Sequence, residues 1–202
     1  MSEHTELLVA TNNAGKVREL SQLLSDFPLR LRLLSDFADV LEAEETGDTF
    51  AENATIKALY YSAHSGLLTL SDDSGLVVDA LGGAPGVRSA RYAGREATYA
   101  ERMSKLLGEI DATGDAERRA RFVCVIAVAD PSADTLHTFE GTCEGRIAHA
   151  PRGTGGFGYD PLFIPDGHER TFGELPTEVK HTLSHRARAL RQAVQYLRER
   201  FT

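Results

Sequence analysis

The stretch that most constrains this chain is Phe122-Val123-Cys124-Val125-Ile126-Ala127-Val128-Ala129. Eight successive residues carry no strongly polar side chain. Such a run matches a strand buried on both faces, at the centre of a sheet. The other apolar runs are shorter. Leu7 to Ala10 reads as a buried strand, and Leu29 to Leu34 alternates apolar and basic residues, as a half-exposed strand does. Leu67 to Leu70 and Leu76 to Val78 flank a polar centre. Leu136 to Ile147 reads as a strand with bends at Gly141 and Gly145. A chain of 202 residues has room for one domain, with or without a smaller lobe.

Helices alternate with these strands. One follows Lys16, with Val17, Leu20 and Leu24 on its apolar face. Thr49-x-x-Glu52 is a capping box that starts a second at Phe50. Phe50, Ala54, Ala58 and Tyr61 form its apolar face, it ends before Ser65-Gly66, and Asn53 and Lys57 share one side. Tyr99 to Leu107 predicts a short helix, and Gly108 to Arg118 an exposed connection that separates two lobes. Pro85-Gly86 suits a type II turn. Leu183, Ala187, Leu190, Val194, Leu197 and Phe201 make the stripe of a C-terminal helix that Ser184 caps. Strands mixed with helices give an α/β or α+β domain on a mixed sheet.

Charge and cysteine content narrow the function. A net charge of −8 excludes a general nucleic-acid binder, which needs a basic surface. Met1-Ser2-Glu3-His4 is short and acidic, unlike a signal peptide, and no run approaches the roughly 20 apolar residues that span a bilayer. Cys124 and Cys143 form no C-x-x-C pair and read as buried thiols of a cytoplasmic protein.

Three stretches carry chemistry. Ser71-Asp72-Asp73-Ser74-Gly75 places two adjacent carboxylates where one strand ends and the next begins. Like charges raise each other's pKa, and a divalent cation removes the conflict; an all-oxygen ligand set favours Mg²⁺ or Ca²⁺. A solvated Asp-rich turn is the plain alternative. Thr11-Asn12-Asn13-Ala14-Gly15-Lys16, between strand and helix, is placed to aim backbone N–H groups at a phosphate, although it is not a Walker A loop. Gly153-Thr154-Gly155-Gly156-Phe157-Gly158-Tyr159-Asp160-Pro161 allows close backbone approach and offers Phe157 to stack on a base, or else is a hairpin loop plugged by Phe157. His181 and His185 have i, i+4 spacing but no third ligand, which argues against zinc.

Taken in order, Thr11 to Lys16, Glu44-Glu45-Thr46-Gly47, Asp72 to Gly75, Leu81 to Gly86, Gly155 to Pro161 and Ser184-His185-Arg186 resemble the inosine triphosphate pyrophosphatase family. These are the non-canonical purine nucleoside triphosphate pyrophosphatases, also called HAM1-like, and the bacterial form is the closer match. The likeness covers about Leu7 to Phe201. It implies a single domain over residues 1–202 with a two-lobed α/β fold around a long mixed sheet, and an active site in the cleft between lobes. It also implies a homodimer, Mg²⁺ as cofactor, and purine nucleoside triphosphates as substrate. The implied reaction is hydrolysis of ITP, dITP and XTP to the monophosphate and pyrophosphate.

Carried over by motif, Thr11, Asn12, Asn13, Ala14, Gly15 and Lys16 hold phosphates, with Lys57 and Lys180 assisting. Asp73 is the general base and a metal ligand, and Glu45 the second metal carboxylate, with Glu44 beside it. Ser74, Phe157, Gly158, Tyr159, Asp160, His185 and Arg186 contact the nucleotide. Arg186 has only donors to offer, which suits the C6 carbonyl of hypoxanthine or xanthine and not the amino group of adenine. Two rival readings are a Maf-like pyrophosphatase of modified pyrimidine nucleotides and a nucleotide-binding module without catalysis.

Overall fold

The computed structural model describes residues 6–25, 29–37 and 40–201, the last by its backbone alone. The N-terminal Met1-Ser2-Glu3-His4 and the Phe201 side chain therefore lie outside the described residues. In chain order the elements are β1 (Glu6–Val9), α1 (Ala14–Leu23), β2 (Arg30–Leu33), α2 (Phe50–Ser65), β3 (Leu68–Val78), α3 (Tyr99–Thr113), β4 (Arg119–Asp130), β5 (Thr135–Ile147), β6 (Phe163–Pro165), α4 (Thr177–Leu183) and α5 (His185–Phe201). The strands form one six-stranded sheet in the order β2-β1-β3-β4-β5-β6. β1 is parallel to β2 and to β3, pairing Leu7 with Leu68 and Val9 with Leu70, while β5 and β6 are antiparallel. The sheet is therefore mixed, as the element order implies.

The chain divides into two compact units. The first comprises Met1–Asp73, Cys124–Gly141 and Arg186–Thr202; the second comprises Ser74–Val123 and Thr142–His185. In the first unit the apolar run of β4 behaves as its composition requires. Val125, Ala127 and Ala129 pack with Ala54 and Ala58 of α2, and Cys124, Ile126 and Val128 with Leu20 of α1 and Leu190 of α5. Two-residue alternation puts each set on its own face, and a helix layer covers both. At about 1.5–3 kcal/mol for each large aliphatic side chain removed from water, this sandwich is the main stabilising term of the unit. The second unit has its own core, in which Leu76, Leu106, Ile110, Phe122, Phe163 and Phe172 meet.

Three local expectations change. First, Asp72-Asp73 is not a junction between strands, because β3 runs unbroken from Leu68 to Val78. Lys16, Arg186 and Lys57 supply counter-charges there, so the backbone can stay extended while the carboxylates are buried. Second, α3 passes through Gly108 and ends at Thr113, with Gly114 in the left-handed conformation at φ 72°. Leu106 and Ile110, both 0% exposed and one turn apart, draw the helix past a residue that costs it about 1 kcal/mol. The units accordingly divide within β3, β4 and β5 and at the start of α5, not at 108–118, and Arg118 is buried against Asp111 and the Ile147 carbonyl. Third, Pro85 lies at ψ −19°, whereas a type II turn needs about +120°. Gly86–Arg91 continues as a 3-10 helix instead, tied down by Ser89 Oγ, which accepts from Leu76 N and donates to the Gly86 carbonyl. The remaining boundaries fall close to expectation, including the α2 capping box at Thr49 and its αL cap at Gly66.

Candidate active site

In the first unit the loop after β1 delivers Thr11 to Lys16 onto the start of α1. Asn13 is the N-cap, and its Oδ1 accepts from the N–H groups of Gly15 (3.0 Å) and Lys16 (3.2 Å). Thr11 Oγ1 in turn accepts from Asn13 N. Asn12 and Ala14 are exposed at the turn. Two amides that a phosphate would use are thus held, and oriented, by the cap.

The Lys16 side chain reaches Asp72, with Nζ 3.0 Å from Oδ2. Asp72 is the most enclosed charge among the described residues. Arg186 Nε stands 3.3 Å from the same oxygen, and Cys124 Sγ lies 3.9 Å away. Burial pushes the Asp72 carboxyl up, but the adjoining Lys16 and Arg186 charges outweigh it and hold the group well below the usual carboxylate range. Arg186 also pairs with Glu19. Glu19 sits on the α1 turn after Lys16, off the Val17, Leu20 and Leu24 stripe, and is nevertheless buried beside Arg186. Arg186 is 2% exposed, and two of its donor nitrogens are already engaged by carboxylates.

Asp73, one residue on, points to the other face of β3 and belongs to a second cluster. Lys57 Nζ lies 2.6 Å from Glu45 Oε1 and 3.3 Å from Asp73 Oδ1. One ammonium faces two carboxylates, so the group carries one excess negative charge. Burial pushes the Asp73 carboxyl up, while Lys57 and Lys16 pull it down; the net direction is upward. Lys57 is held above its ordinary value: burial lowers it, and Asp73, Asp72 and Glu45 more than offset that. Asp73 Oδ2 is buried and has no hydrogen-bond partner among the described residues.

Of Glu44 and Glu45, the structure brings Glu45 to this cluster. No group of three or more His, Cys, Asp or Glu among the described residues is arranged to hold an ion. Glu45 and Asp73 nevertheless fit a Mg²⁺ that completes its shell with substrate phosphates and water, which is the ordinary way this ion is held. Their excess charge and the unpartnered Asp73 oxygen are the features that fit it.

The second unit holds the glycine loop. Phe157 N donates to Asp160 Oδ2 at 2.7 Å, and Lys180 of α4 pairs with the same carboxylate. The Lys180 ammonium stands 4.7 Å from the Phe157 ring centroid, a cation–π distance. Gly156 has φ 69°, and a Cβ there would lie 2.0 Å from Asp160 Oδ2, so only glycine permits this closure. Gly158 has φ 67° and runs beside the Tyr99 ring. Tyr159 is buried, and its hydroxyl donates to the Ser89 carbonyl at 3.0 Å, so it anchors the loop. His185 is 4% exposed and stacks on Phe122 at 4.7 Å and 12°. Ser74 opens this unit on β3, directly after Asp73.

Reasoning from sequence missed Glu19 and Cys124 as neighbours of these groups, and it placed Asn53 beside Lys57 without its contacts to Gly47. Glu19 had a usable signal, since it follows Lys16 by three residues on one helix. Cys124 had none, because its partner is 52 positions away.

The chain matches the Ham1 family over residues 7–196. Among its relatives is the dITP/XTP pyrophosphatase of Geobacillus kaustophilus, 50% identical over 92% of this chain and 90% of that protein. The dITP/XTP pyrophosphatase of Desulforamulus reducens is 47% identical over 95% of each. The solved structure of a HAM1 protein from Coxiella burnetii superposes with a TM-score of 0.89 at 44% identity, covering 96% of this chain and 99% of that one. With its fold and most of its length shared in this way, the chain is a member of the Ham1 family.

Proposed function

We propose that this chain hydrolyses dITP, XTP and ITP to the nucleoside monophosphate and pyrophosphate, clearing deaminated purines from the nucleotide pool. Its relatives bear the names of enzymes acting on dITP and XTP, and they match nearly the whole chain. Neither a Maf-like activity nor a binding module without catalysis is favoured by that company. The observation that carries the reading is the Glu45–Lys57–Asp73 cluster, with a buried carboxylate oxygen left for a proton or a cation.

Asp73 takes a proton from water at Oδ2. The water oxygen bonds to the α-phosphorus, the bond from that phosphorus to the bridging oxygen breaks, and pyrophosphate leaves with the electron pair. The buried Asp73 Oδ2, with no hydrogen-bond partner among the described residues, is open to accept that proton. Lys57 holds Asp73 in place, and Lys16 brings positive charge to the phosphates from the capped turn of α1. Glu45 and Asp73 would hold a Mg²⁺, which would supply further neutralisation of phosphate charge and make the attacking water easier to deprotonate.

Phe157 offers its ring to the base, with Lys180 and Asp160 fixing the loop that carries it. A homodimer and a cytoplasmic location complete the proposal. No described helix is long and apolar enough to cross a membrane. The test is pyrophosphate release from a panel of purine and pyrimidine triphosphates with and without Mg²⁺. Release confined to ITP, dITP and XTP in the presence of Mg²⁺ is expected. Equal release from ATP or from pyrimidine nucleotides overturns the substrate class.

A further inference from the structure

Asn53 has no part in the chemistry above, yet its residue is 0% exposed. Its amide closes two hydrogen bonds on a single backbone residue. Gly47 N donates to Asn53 Oδ1 at 2.8 Å, and Asn53 Nδ2 donates to the Gly47 carbonyl at 3.2 Å. Gly47 lies two residues after Glu45, and Asn53 lies one helical turn before Lys57. The next two amides are pinned to the same helix: Asp48 N and Thr49 N donate to Glu52 Oε2 at 2.8 and 3.0 Å. A Cβ on Gly47 would lie 2.6 Å from Glu52 Cβ and 2.9 Å from Asn53 Oδ1, so the loop approaches as closely as a glycine allows. An amide at this depth is costly unless both its ends are satisfied, and here the backbone of one residue satisfies both.

We propose that Asn53 is a positioning residue for the divalent-cation site. By clamping Gly47 it holds the Glu45 carboxylate against Lys57, the ammonium that also binds Asp73. This rests on the reading of Glu45 and Asp73 as metal ligands. A ligand carried on a loop binds an ion only in the fraction of molecules where the loop is in place. Apparent affinity falls in proportion to that fraction. Loss of the clamp that leaves about a tenth of molecules ordered therefore weakens metal binding about tenfold.

The experiment measures Mn²⁺ binding to the full chain by electron paramagnetic resonance, in excess α,β-methylene ITP, with thermal melts alongside. Asn53→Ala removes the clamp from the helix side and Gly47→Ala from the loop side. Glu45→Gln benchmarks the metal reading. Thr49→Ala removes the cap of α2 without touching the clamp. Asn53→Ala and Gly47→Ala are each expected to raise the Mn²⁺ dissociation constant about tenfold, and Glu45→Gln at least as much. Thr49→Ala should lower the melting temperature and leave Mn²⁺ affinity within about twofold of the parent. If Asn53→Ala does not fold, Gly47→Ala carries the comparison. Unchanged affinity in the clamp variants beside a large loss in Glu45→Gln overturns the role of Asn53 alone. A loss in Thr49→Ala as large as in Asn53→Ala also overturns it, because general destabilisation would then suffice. Unchanged affinity in Glu45→Gln overturns the metal reading, and the inference with it.

Discussion

Arg186→Leu tests how the most enclosed charges of the first unit are held. The Arg186 side chain is 2% exposed, that of Asp72 0%, and that of Glu19 12%. Removing one partner from a buried ion pair leaves the other uncompensated, at a cost of about 3–5 kcal/mol. Asp72 keeps Lys16 at 3.0 Å, so the lower half of that range applies to it, while Glu19 loses the partner that accounts for its burial. In a chain this size each kcal/mol moves the melting temperature by roughly 2–4 °C. The expected fall is therefore about 6–20 °C. Glu19→Leu strands Arg186 less completely, because Asp72 remains beside it. Both charges are absent from the double variant, which should cost less than the sum of the singles by about 1 kcal/mol or more. Urea unfolding of the four proteins at pH 7 gives the coupling directly. Additive losses, or an Arg186→Leu loss below about 1 kcal/mol, would refute the idea that this network carries its charges in pairs.

Asp73→Asn should leave the melting temperature near that of the parent and lower kcat for ITP by at least about a hundredfold; a folded variant with near-parental kcat removes Asp73 from the role of base. Burial pushes the Asp130 carboxyl up, but the Ser132 hydroxyl and amide and the Arg200 guanidinium outweigh this and lower it overall. Its stabilising contribution is thus fully present above the unfolded carboxylate value of about 3.9 and disappears as pH falls through the folded value. Asp130→Asn should be less stable than the parent at pH 7, with the gap closing below about pH 4; a constant gap down to pH 3 contradicts the sign. Gly153 has φ 77°, and a Cβ there would lie 2.1 Å from the Gly173 carbonyl oxygen, a backbone atom that cannot swing aside. Gly153→Ala should therefore destabilise by more than about 1 kcal/mol in urea, and an unchanged midpoint would show that the loop relaxes freely.

What the sequence made legible was local. The apolar run of β4 and the Thr49-x-x-Glu52 box declare themselves within a few residues and form as read; the stripe of α5 forms from Ala187 to Leu197, whereas Leu183 ends the separate helix α4. Less legible were features decided by distant partners. Asp72-Asp73 looks like a turn because two carboxylates seldom share a buried strand. The cations that permit it lie 56 positions away at Lys16 and 114 away at Arg186. The family motif named Arg186 but could not show that Glu19 and Asp72 would engage it. Gly108 looked like a stop signal, and the burial of Ile110 beyond it decided otherwise. Asn53 was visible as a neighbour of Lys57 on one helix face. Its clamp on Gly47 was not, because a loop residue's backbone has no signature in sequence.

The account rests most directly on where water attacks. ITP hydrolysed in ¹⁸O-labelled water with Mg²⁺ gives two products whose masses locate the new oxygen. Attack at the α-phosphorus, with Asp73 as base, predicts label in IMP and none in pyrophosphate. Label in pyrophosphate would place the attack on the β-phosphorus and contradict the geometry assigned to the Glu45–Lys57–Asp73 cluster.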